Sequence, residues 1–211
     1  MKLSKLILSA AAAALLAGSA AAGETKAKAA AKPEATTLEN LQTAYNGESN
    51  AKARYEAFAA KAQAEGYLGV ASLFKAAALS EGVHAAKHAK AIEALGAVPK
   101  ADVKAPEVKS TKENLEVALK GENYERLKMY PAFLKKAEAD KNQQAMYSFK
   151  GALAAEKMHA KFYGEALKNL NGWKTARKFI VCQTCGYTTN DMKLKVCPVC
   201  SQPRSQFTEV E

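Results

Sequence analysis

The sequence is poor in arginine and, over most of its length, lacks cysteine. Only four of its 211 residues are arginine, and no patch of arginine with aromatic residues is present. The net charge of +10 comes mostly from lysines spread along the chain, and we interpret them as solvated helix faces rather than a binding surface. We therefore expect no nucleic-acid partner. Cysteine is absent until the last thirty residues, so disulfides cannot stabilise most of the chain.

Long apolar runs are also scarce, and the one that exists lies at the start. Residues 1–5 carry two lysines, residues 6–16 are apolar except for one serine, and Ala20 to Ala22 follow. A basic start, an apolar stretch of about ten residues and a small-residue end are typical of a secretory signal peptide and too short for a membrane span. We predict a signal peptide over residues 1–22, cleaved after Ala22, and a periplasmic protein without a membrane span. No cysteine follows the run and no twin arginine precedes it, so we expect neither a lipid anchor nor export of a folded chain.

The rest of the chain divides into a leader, a helical part and a small C-terminal part. Residues 23–36 are rich in alanine and lysine and lack a core face, which predicts a flexible leader. Capping boxes at Thr36 and Ser110 indicate the start of the first and third helices. Pro131 falls inside the third helix, where it predicts a kink. The predicted segments are helices over residues 37–65, 68–95, 110–139 and 142–170, a crossover linker over 96–109, a helical domain over 37–172 and a C-terminal domain over 177–211.

The helical part contains one hairpin twice. The pair Gly47-Glu48 recurs 74 residues later as Gly121-Glu122, and Glu81-x-x-His84 recurs 75 residues later as Glu156-x-x-His159. A length difference of one residue between the two hairpins accounts for the change of shift. Two similar hairpins related by a pseudo-twofold axis, with one long connection, predict an all-α ferritin-like four-helix bundle.

The duplicated residues are of the types that bind metals. A glutamate and a histidine three positions apart share a helix face, and each such pair is matched by a glutamate on the preceding helix. A glutamate from two helices and Glu-x-x-His from two others form the ligand set of dinuclear carboxylate sites, and several buried carboxylates are tolerable only with cations. Oxygen and imidazole ligands favour iron or manganese. The candidate ligands are Glu48, Glu81, His84, Glu122, Glu156 and His159.

Two further residues near these motifs need interpretation. Glu125 lies one turn after Glu122, whereas its counterpart in the first hairpin is Ala51. We predict that Glu125 is a seventh ligand, present on one side only, which would let one metal exchange ligands as its charge changes. His88 lies one turn beyond His84, and we interpret it as a solvated or hydrogen-bonded histidine rather than a ligand.

Four cysteines form two C-x-x-C motifs separated by eleven residues. Paired motifs of this kind predict a tetrahedral sulfur site for iron or zinc, with two disulfides or a dithiol redox motif as alternatives. Nearby aromatic residues and the fusion to a dinuclear redox site favour a mononuclear iron centre. Its ligands would be Cys182, Cys185, Cys197 and Cys200.

From Thr36 to Glu211 these motifs resemble the rubrerythrin family, and the segment from Arg177 resembles a rubredoxin. The rubredoxin-like segment departs from the pattern at Ser201, where glycine is usual, and its motifs are about one residue closer together. The motifs that carry the rubrerythrin resemblance are Gly47-Glu48-Ser49-x-Ala51, Glu81-x-x-His84, Gly121-Glu122-Asn123-x-Glu125, Met129-Tyr130-Pro131 and Glu156-x-x-His159.

The resemblance implies a role for each residue. Glu81 and Glu156 would bridge two irons, Glu48 would bind the first, and Glu122 with His159 the second. The first iron would move between Glu125 when oxidised and His84 when reduced. The resemblance also implies that two tyrosines donate hydrogen bonds to ligating carboxylates, namely Tyr55 and Tyr130.

By the same resemblance the protein reduces hydrogen peroxide to water, and the four-cysteine iron returns electrons to the diiron centre one at a time. It also implies a homodimer with transfer between subunits. Export would require a periplasmic electron-donor protein. The main alternative is a ferroxidase that sequesters iron, for which a fused electron-donor domain has no use. A third possibility is a colourless zinc protein with two structural sites.

Overall fold

The computed structural model describes residues 35–211. The predicted signal peptide and nearly all of the predicted leader lie outside the described residues. Within residues 35–211 no helix is long and apolar enough to cross a membrane.

Two helical hairpins build the bundle, and both begin at the predicted capping boxes. The Thr36 side chain accepts a hydrogen bond from the backbone N–H of Glu39, and the Glu39 side chain accepts one from the backbone N–H of Thr36. Ser110 and Glu113 make the same two hydrogen bonds. These reciprocal bonds satisfy amide groups that a helix start leaves without partners. The helices are α1 (Thr37–Ala64), α2 (Leu68–Glu93), α3 (Thr111–Tyr124), α4 (Tyr130–Ala139) and α5 (Gln143–Lys168).

A π-helical turn, Glu125–Met129, joins α3 to α4. The N–H of Tyr130 bonds to the carbonyl of Glu125, five residues back. Pro131, which lacks an N–H, therefore stands in the first turn of α4, where a missing donor does little harm. The disturbance that the sequence predicts at Pro131 takes the form of this turn, immediately before the proline.

Two apolar clusters fill the bundle, and each ends at a tyrosine close to buried glutamates. One packs Phe58 and Phe74 around Tyr55, and the other packs Phe149 against Tyr130. Aromatic rings at separations of 5.4 to 5.9 Å add specific contacts to area burial. Both tyrosines are at most 1% exposed, so the packing fixes where their hydroxyls point. The all-α ferritin-like prediction is confirmed.

The C-terminal part is a small antiparallel sheet with strand order β2-β1-β3. Its strands are β1 (Phe179–Cys182), β2 (Thr188–Thr189) and β3 (Phe207–Val210). All four residues of β1 are buried, partly because the strand packs against the bundle. The rings of Phe162 on α5 and Phe179 on β1 meet edge to face at 5.3 Å. The predicted rubredoxin-like part therefore packs directly on the helices that carry the Glu-x-x-His motifs.

Candidate metal centre

Six buried side chains from four helices meet inside the bundle. They form two overlapping groups of four, and the candidate ligand atoms in each group lie within 4.8 Å of one another. Glu81 and Glu156 belong to both groups, Glu48 and His84 to the first, and Glu122 and His159 to the second. None of the six is more than 1% exposed. The arrangement is that of two adjacent cation sites sharing two carboxylates.

Both histidines direct the same ring nitrogen toward the carboxylates. His84 Nδ1 lies 2.8 Å from Glu81 Oε2 and 3.3 Å from Glu156 Oε1. His159 Nδ1 lies 2.9 Å from Glu156 Oε2 and 3.3 Å from Glu81 Oε1. The two halves of the cluster are thus related by the pseudo-twofold axis that the duplication predicts. In each half Nε2 points away from the cluster, toward Ser80 in one half and toward Thr188 in the other.

Electrostatics show that this cluster is unfavourable without positive charge. Burial, followed by the charges of Glu81 and Glu156, raises the pKa of Glu48 well above its usual value. Burial and the charge of Glu156 raise the pKa of Glu122 to about 8. Burial opposes ionisation of Glu156 as well, but His84 and His159 hold its pKa below the usual range. Without metal ions the folded protein must therefore keep protons on part of the cluster.

The unpartnered atoms of the cluster match the needs of bound cations. Glu48 Oε2, Glu122 Oε2, both oxygens of Glu156 and Nδ1 of His159 are buried, and none of them has the geometry of a hydrogen bond, although His159 Nδ1 and Glu156 Oε2 lie only 2.9 Å apart. A buried polar atom without a partner costs on the order of 1–3 kcal/mol, and here several converge on one place. Carboxylate oxygens with imidazole suit iron, manganese or zinc. The residues present therefore fit a dinuclear metal centre.

Two tyrosines each donate a hydrogen bond to a glutamate that belongs to only one of the two groups. Tyr55 donates to Glu122 Oε1 at 2.6 Å, and Tyr130 donates to Glu48 Oε1. In each glutamate the other oxygen is the one without a partner. Each tyrosine thus occupies one oxygen and leaves the second available to a cation, which is how outer hydrogen bonds orient metal ligands.

Glu125 is the predicted ligand that the structure does not bring into either group. It lies in the π-helical turn and is partly buried. Burial, followed by the charge of Glu48, raises the pKa of Glu125, so its carboxyl group lies near the cluster. His84, not Glu125, completes the first group of four.

His88 lies in neither group but is fully buried, so of the two interpretations offered by the sequence the hydrogen-bonded one is correct. Its Nε2 is 3.1 Å from the Tyr130 hydroxyl and its Nδ1 is 2.7 Å from Ser148 Oγ. Burial and the charge of His84 lower the pKa of His88 to about 3. The imidazole is therefore neutral.

The four cysteines form a second candidate site, and none of them is in a disulfide. Cys182 Sγ and Cys200 Sγ are 3.6 Å apart, as are Cys185 Sγ and Cys197 Sγ. A tetrahedron with metal–sulfur bonds of about 2.3 Å has edges of about 3.8 Å, so the cage has the size of one metal ion. A hydrogen bond from Cys185 lowers the pKa of Cys182 to about 5 and raises that of Cys185, so without a metal ion the cage holds one thiolate beside thiols that keep their protons.

Each C-x-x-C motif ends in a left-handed turn. After the first, Gly186 has φ +80° and its N–H bonds to Cys182 O at 2.8 Å. After the second, Ser201 has φ +59° and its N–H bonds to Cys197 O at 3.0 Å. Ser201, the predicted departure from the rubredoxin pattern, therefore adopts the left-handed turn. Its side chain is exposed, so a Cβ meets no steric obstacle beyond the local backbone strain.

The two candidate metal sites are joined at the carbonyl of Gly186. Ser80 Oγ donates to this oxygen at 2.6 Å and lies 3.4 Å from His84 Nε2. Thr188 Oγ1 donates to it at 3.1 Å and lies 3.2 Å from His159 Nε2. A Cβ at Gly186 would overlap His84 Nε2, so only glycine allows this approach. We call these residues the Gly186 junction. The sequence gives no signal for Ser80 or Thr188, because neither belongs to a recognisable motif.

Comparisons with known proteins agree with this geometry. The family model described as rubrerythrin matches residues 39–167, and the one described as rubrerythrin, rubredoxin-like domain matches residues 181–208. Nigerythrin of Nitratidesulfovibrio vulgaris is 38% identical over 174 residues, covering 82% of this chain and 86% of that protein. Rubrerythrin-2 of Clostridium acetobutylicum is 34% identical over 177 residues, covering 82% and 96%.

Among solved structures, nigerythrin in a fully reduced, all-ferrous state matches with a TM-score of 0.77 and 35% identity, covering 85% of this chain and 89% of that one. Bacterioferritin BfrA of Mycobacterium tuberculosis matches with a TM-score of 0.60 and 17% identity, covering 67% and 89%, which shows a common fold alone. With its carboxylate–histidine cluster, its four-cysteine site and these matches over most of its length, the chain belongs to the rubrerythrin family.

Proposed function

We propose that this protein is a peroxidase that reduces hydrogen peroxide to water at a diiron centre and receives electrons from an iron held by its four cysteines. The observation that carries the proposal is the Gly186 junction, in which the Ser80 and Thr188 hydroxyls link one carbonyl beside Cys185 to both histidines of the dinuclear cluster. An all-ferrous state of a solved nigerythrin supports iron in both sites. Storage of iron requires no such contact.

The position of each residue in the two groups determines the role that we propose for it. Glu81 and Glu156, which belong to both groups, would bridge the irons, with Glu48 and His84 on one side and Glu122 and His159 on the other. When bound, the two ferrous ions supply the two electrons that convert one peroxide and two protons into two water molecules. The burial of every ligand excludes bulk water and strengthens each electrostatic interaction in the site.

We propose that Glu125 exchanges with His84 as a ligand of the first iron, as the family resemblance implies. In the structure His84 points toward the carboxylates and Glu125 lies outside both groups, which is the arrangement that the resemblance implies for the reduced centre. A carboxylate suits the harder ferric ion better than imidazole does. Replacing Glu125 with glutamine should therefore weaken ferric more than ferrous binding at one site.

Peroxide reduction can be tested by stopped-flow spectroscopy on the iron-loaded, anaerobically reduced protein. After mixing with hydrogen peroxide, the visible absorption of the oxidised four-cysteine iron should return within the lifetime of one turnover. A variant with Glu81→Ala and Glu156→Ala, which keeps the four cysteines, is the matched control and should recover this absorption far more slowly. Equal rates in the two proteins would exclude transfer through the dinuclear centre.

The contacts at the Gly186 junction lie within one chain, so we propose that electrons pass within one chain. The resemblance implies transfer between subunits, and a mixing experiment separates the two routes. One variant lacks the dinuclear ligands Glu81 and Glu156, and the other lacks Cys182 and Cys197. Transfer within a chain predicts that refolded mixtures stay inactive, whereas transfer between subunits predicts that activity reappears.

A homodimer and export are further parts of the proposal. Val117 and Tyr124, seven residues apart on α3, are 48% and 60% exposed, and an exposed apolar face of this kind suits a second copy of the chain. Light scattering at increasing salt tests the dimer. Fractionation of cells expressing the chain with and without residues 1–22 tests the periplasmic location, where a carrier protein would supply the electrons.

A further inference from the structure

A chain of hydrogen bonds extends from the dinuclear cluster through two residues to which the proposed function gives no role. Tyr130 connects Glu48 to His88 on α2, and His88 connects Tyr130 to Ser148 on α5. His88 is fully buried and Ser148 is 6% exposed. The rings of Tyr130 and Phe149 pack against the imidazole. This series of hydrogen bonds therefore links α2, α4 and α5 to a single ligand, Glu48.

Hydrogen counting fixes the direction of every bond in this chain. A phenol has one hydrogen, and Tyr130 gives it to Glu48, so the Tyr130 oxygen must accept from His88 Nε2. A neutral imidazole carries one hydrogen, which leaves His88 Nδ1 as an acceptor. The Ser148 hydroxyl, 2.7 Å away, must then donate to it. All three hydrogens point toward Glu48.

We propose that His88 and Ser148 are positioning residues that orient the Tyr130 hydroxyl toward Glu48 and thereby keep the other Glu48 oxygen available to the first metal ion. Without a donor at His88 Nε2, the hydroxyl of Tyr130 loses the partner that fixes its rotation. Glu48 Oε1 then loses a fixed hydrogen bond, and Oε2, which has no partner, is no longer held in place. This inference rests on the dinuclear metal centre of the proposed function.

The second hairpin offers an internal comparison. The residue 75 positions after His88 is Tyr163, just as Tyr130 is 75 positions after Tyr55. The Tyr163 hydroxyl is buried and has no hydrogen-bond partner among the described residues. Its ring meets the Tyr55 ring edge to face with 5.7 Å between the centroids, but no hydrogen bond with the geometry of the His88–Tyr130 bond joins the two hydroxyls. The effect of His88 should be confined to the metal site that contains Glu48.

A double-mutant cycle tests the inference through metal binding rather than activity. Anaerobic titration with ferrous ion gives the affinities of the two sites in the wild type, His88→Phe, Tyr130→Phe and the double variant. Loss of a residue that orients a ligand typically weakens metal binding about 10- to 100-fold. We expect His88→Phe to weaken one site about 10-fold, near the lower limit of that range, because His88 acts through Tyr130. The double variant should bind no more weakly than Tyr130→Phe alone, because His88 has no effect once the phenol oxygen is gone.

Two conservative variants and one control complete the test. His88→Gln keeps an N–H donor and should restore most of the affinity, whereas Ser148→Ala should lose part of it. Tyr163→Phe is the control and should leave the affinity of the site that contains Glu48 unchanged. Melting temperatures of the metal-free proteins report folding, and if His88→Phe does not fold, Ser148→Ala and His88→Gln carry the comparison.

Two results would overturn the inference. One is a double variant whose loss of affinity equals the product of the two single losses, which would mean that His88 acts independently of Tyr130. The other is a folded His88→Phe protein that binds iron like the wild type. Failure of the wild type to reduce peroxide would instead contradict the proposed function, and the affinity measurements would still decide the role of His88.

Discussion

Replacing Thr188 with valine removes one hydroxyl from the Gly186 junction and almost nothing else. Valine has the shape of threonine, and Thr188 is fully buried in β2. The lost hydroxyl is the partner of His159 Nε2 at 3.2 Å. Because His159 Nδ1 faces the carboxylates, Nε2 carries the hydrogen, and the substitution leaves that N–H buried without an acceptor.

The size of the effect follows from that unpaired group. A buried donor left without its partner costs about 1–3 kcal/mol, and a factor of ten in affinity corresponds to about 1.4 kcal/mol. Loss of an outer hydrogen bond to a ligating residue typically weakens metal binding about 10- to 100-fold, so we expect a loss of iron affinity of this size at the Glu122–His159 site. Transfer of an electron from the four-cysteine iron should slow as well, because the hydroxyl joins His159 to the Gly186 carbonyl.

Ferrous titration and stopped-flow reoxidation of the four-cysteine iron measure the two effects separately. Thr188→Ser keeps the hydroxyl and is the matched control, which we expect to resemble the wild type in both assays. A folded Thr188→Val protein with unchanged iron affinity and unchanged transfer rate would refute the role assigned to this hydroxyl.

Three further predictions concern the contact between the two parts, the charge of the cluster and the four-cysteine cage. Gly151→Ala would place a Cβ 3.0 Å from the Cys185 carbonyl oxygen, so the C-terminal part must move slightly away and electron transfer should slow. Gly164→Ala, where the space is open, should not change the rate. Because burial raises the pKa of Glu122 to about 8, its proton stabilises the folded metal-free protein fully below the unfolded pKa, and this stabilisation is lost as pH rises through 8. The melting temperature of the metal-free protein should therefore fall by several degrees between pH 6 and pH 9, and iron should abolish most of that fall. Cys197→Ser should remove the visible absorption of the four-cysteine iron and, since its loop loses a metal bond, lower the melting temperature.

The helical fold could be predicted because its signals are local. Capping boxes, glycines at helix ends and the repeated hairpin all lie in short segments of sequence. Gly66 and Gly96 have φ of +78° and +75°, as expected after the last turn of a helix. Six ligand candidates could likewise be recognised, since the spacing of Glu-x-x-His places both residues of each pair on one helix face.

The contacts behind the ligands could not be predicted in the same way. Ser80, Thr188 and Ser148 are ordinary polar residues, and each has a hydrogen-bond partner on another element that lies 29 to 106 positions away in the chain. No periodicity or motif records a contact of that range, because it depends on how finished elements pack. His88 illustrates the limit: its spacing suggested only a histidine near the site, and its burial against α4 and α5 gives it a partner on each of those helices.

The π-helical turn explains why the two hairpins differ by one residue. Glu48 and Glu122 are 74 positions apart, while Tyr55 and Tyr130 are 75 apart, so the extra residue lies between Glu122 and Tyr130, where Glu125–Met129 forms the turn. In a regular α-helix one inserted residue would rotate everything after it by about 100°, and Tyr130 would turn away from Glu48. A π-helical turn absorbs the residue locally, so Tyr130 keeps the position that Tyr55 has in the first hairpin. The cost is a weakened turn, and it carries Glu125, the one carboxylate that has no counterpart in the other half. The asymmetry of the cluster and the irregularity of the helix therefore lie in the same turn, and the ligand exchange proposed for Glu125 would take place where the helix is least regular.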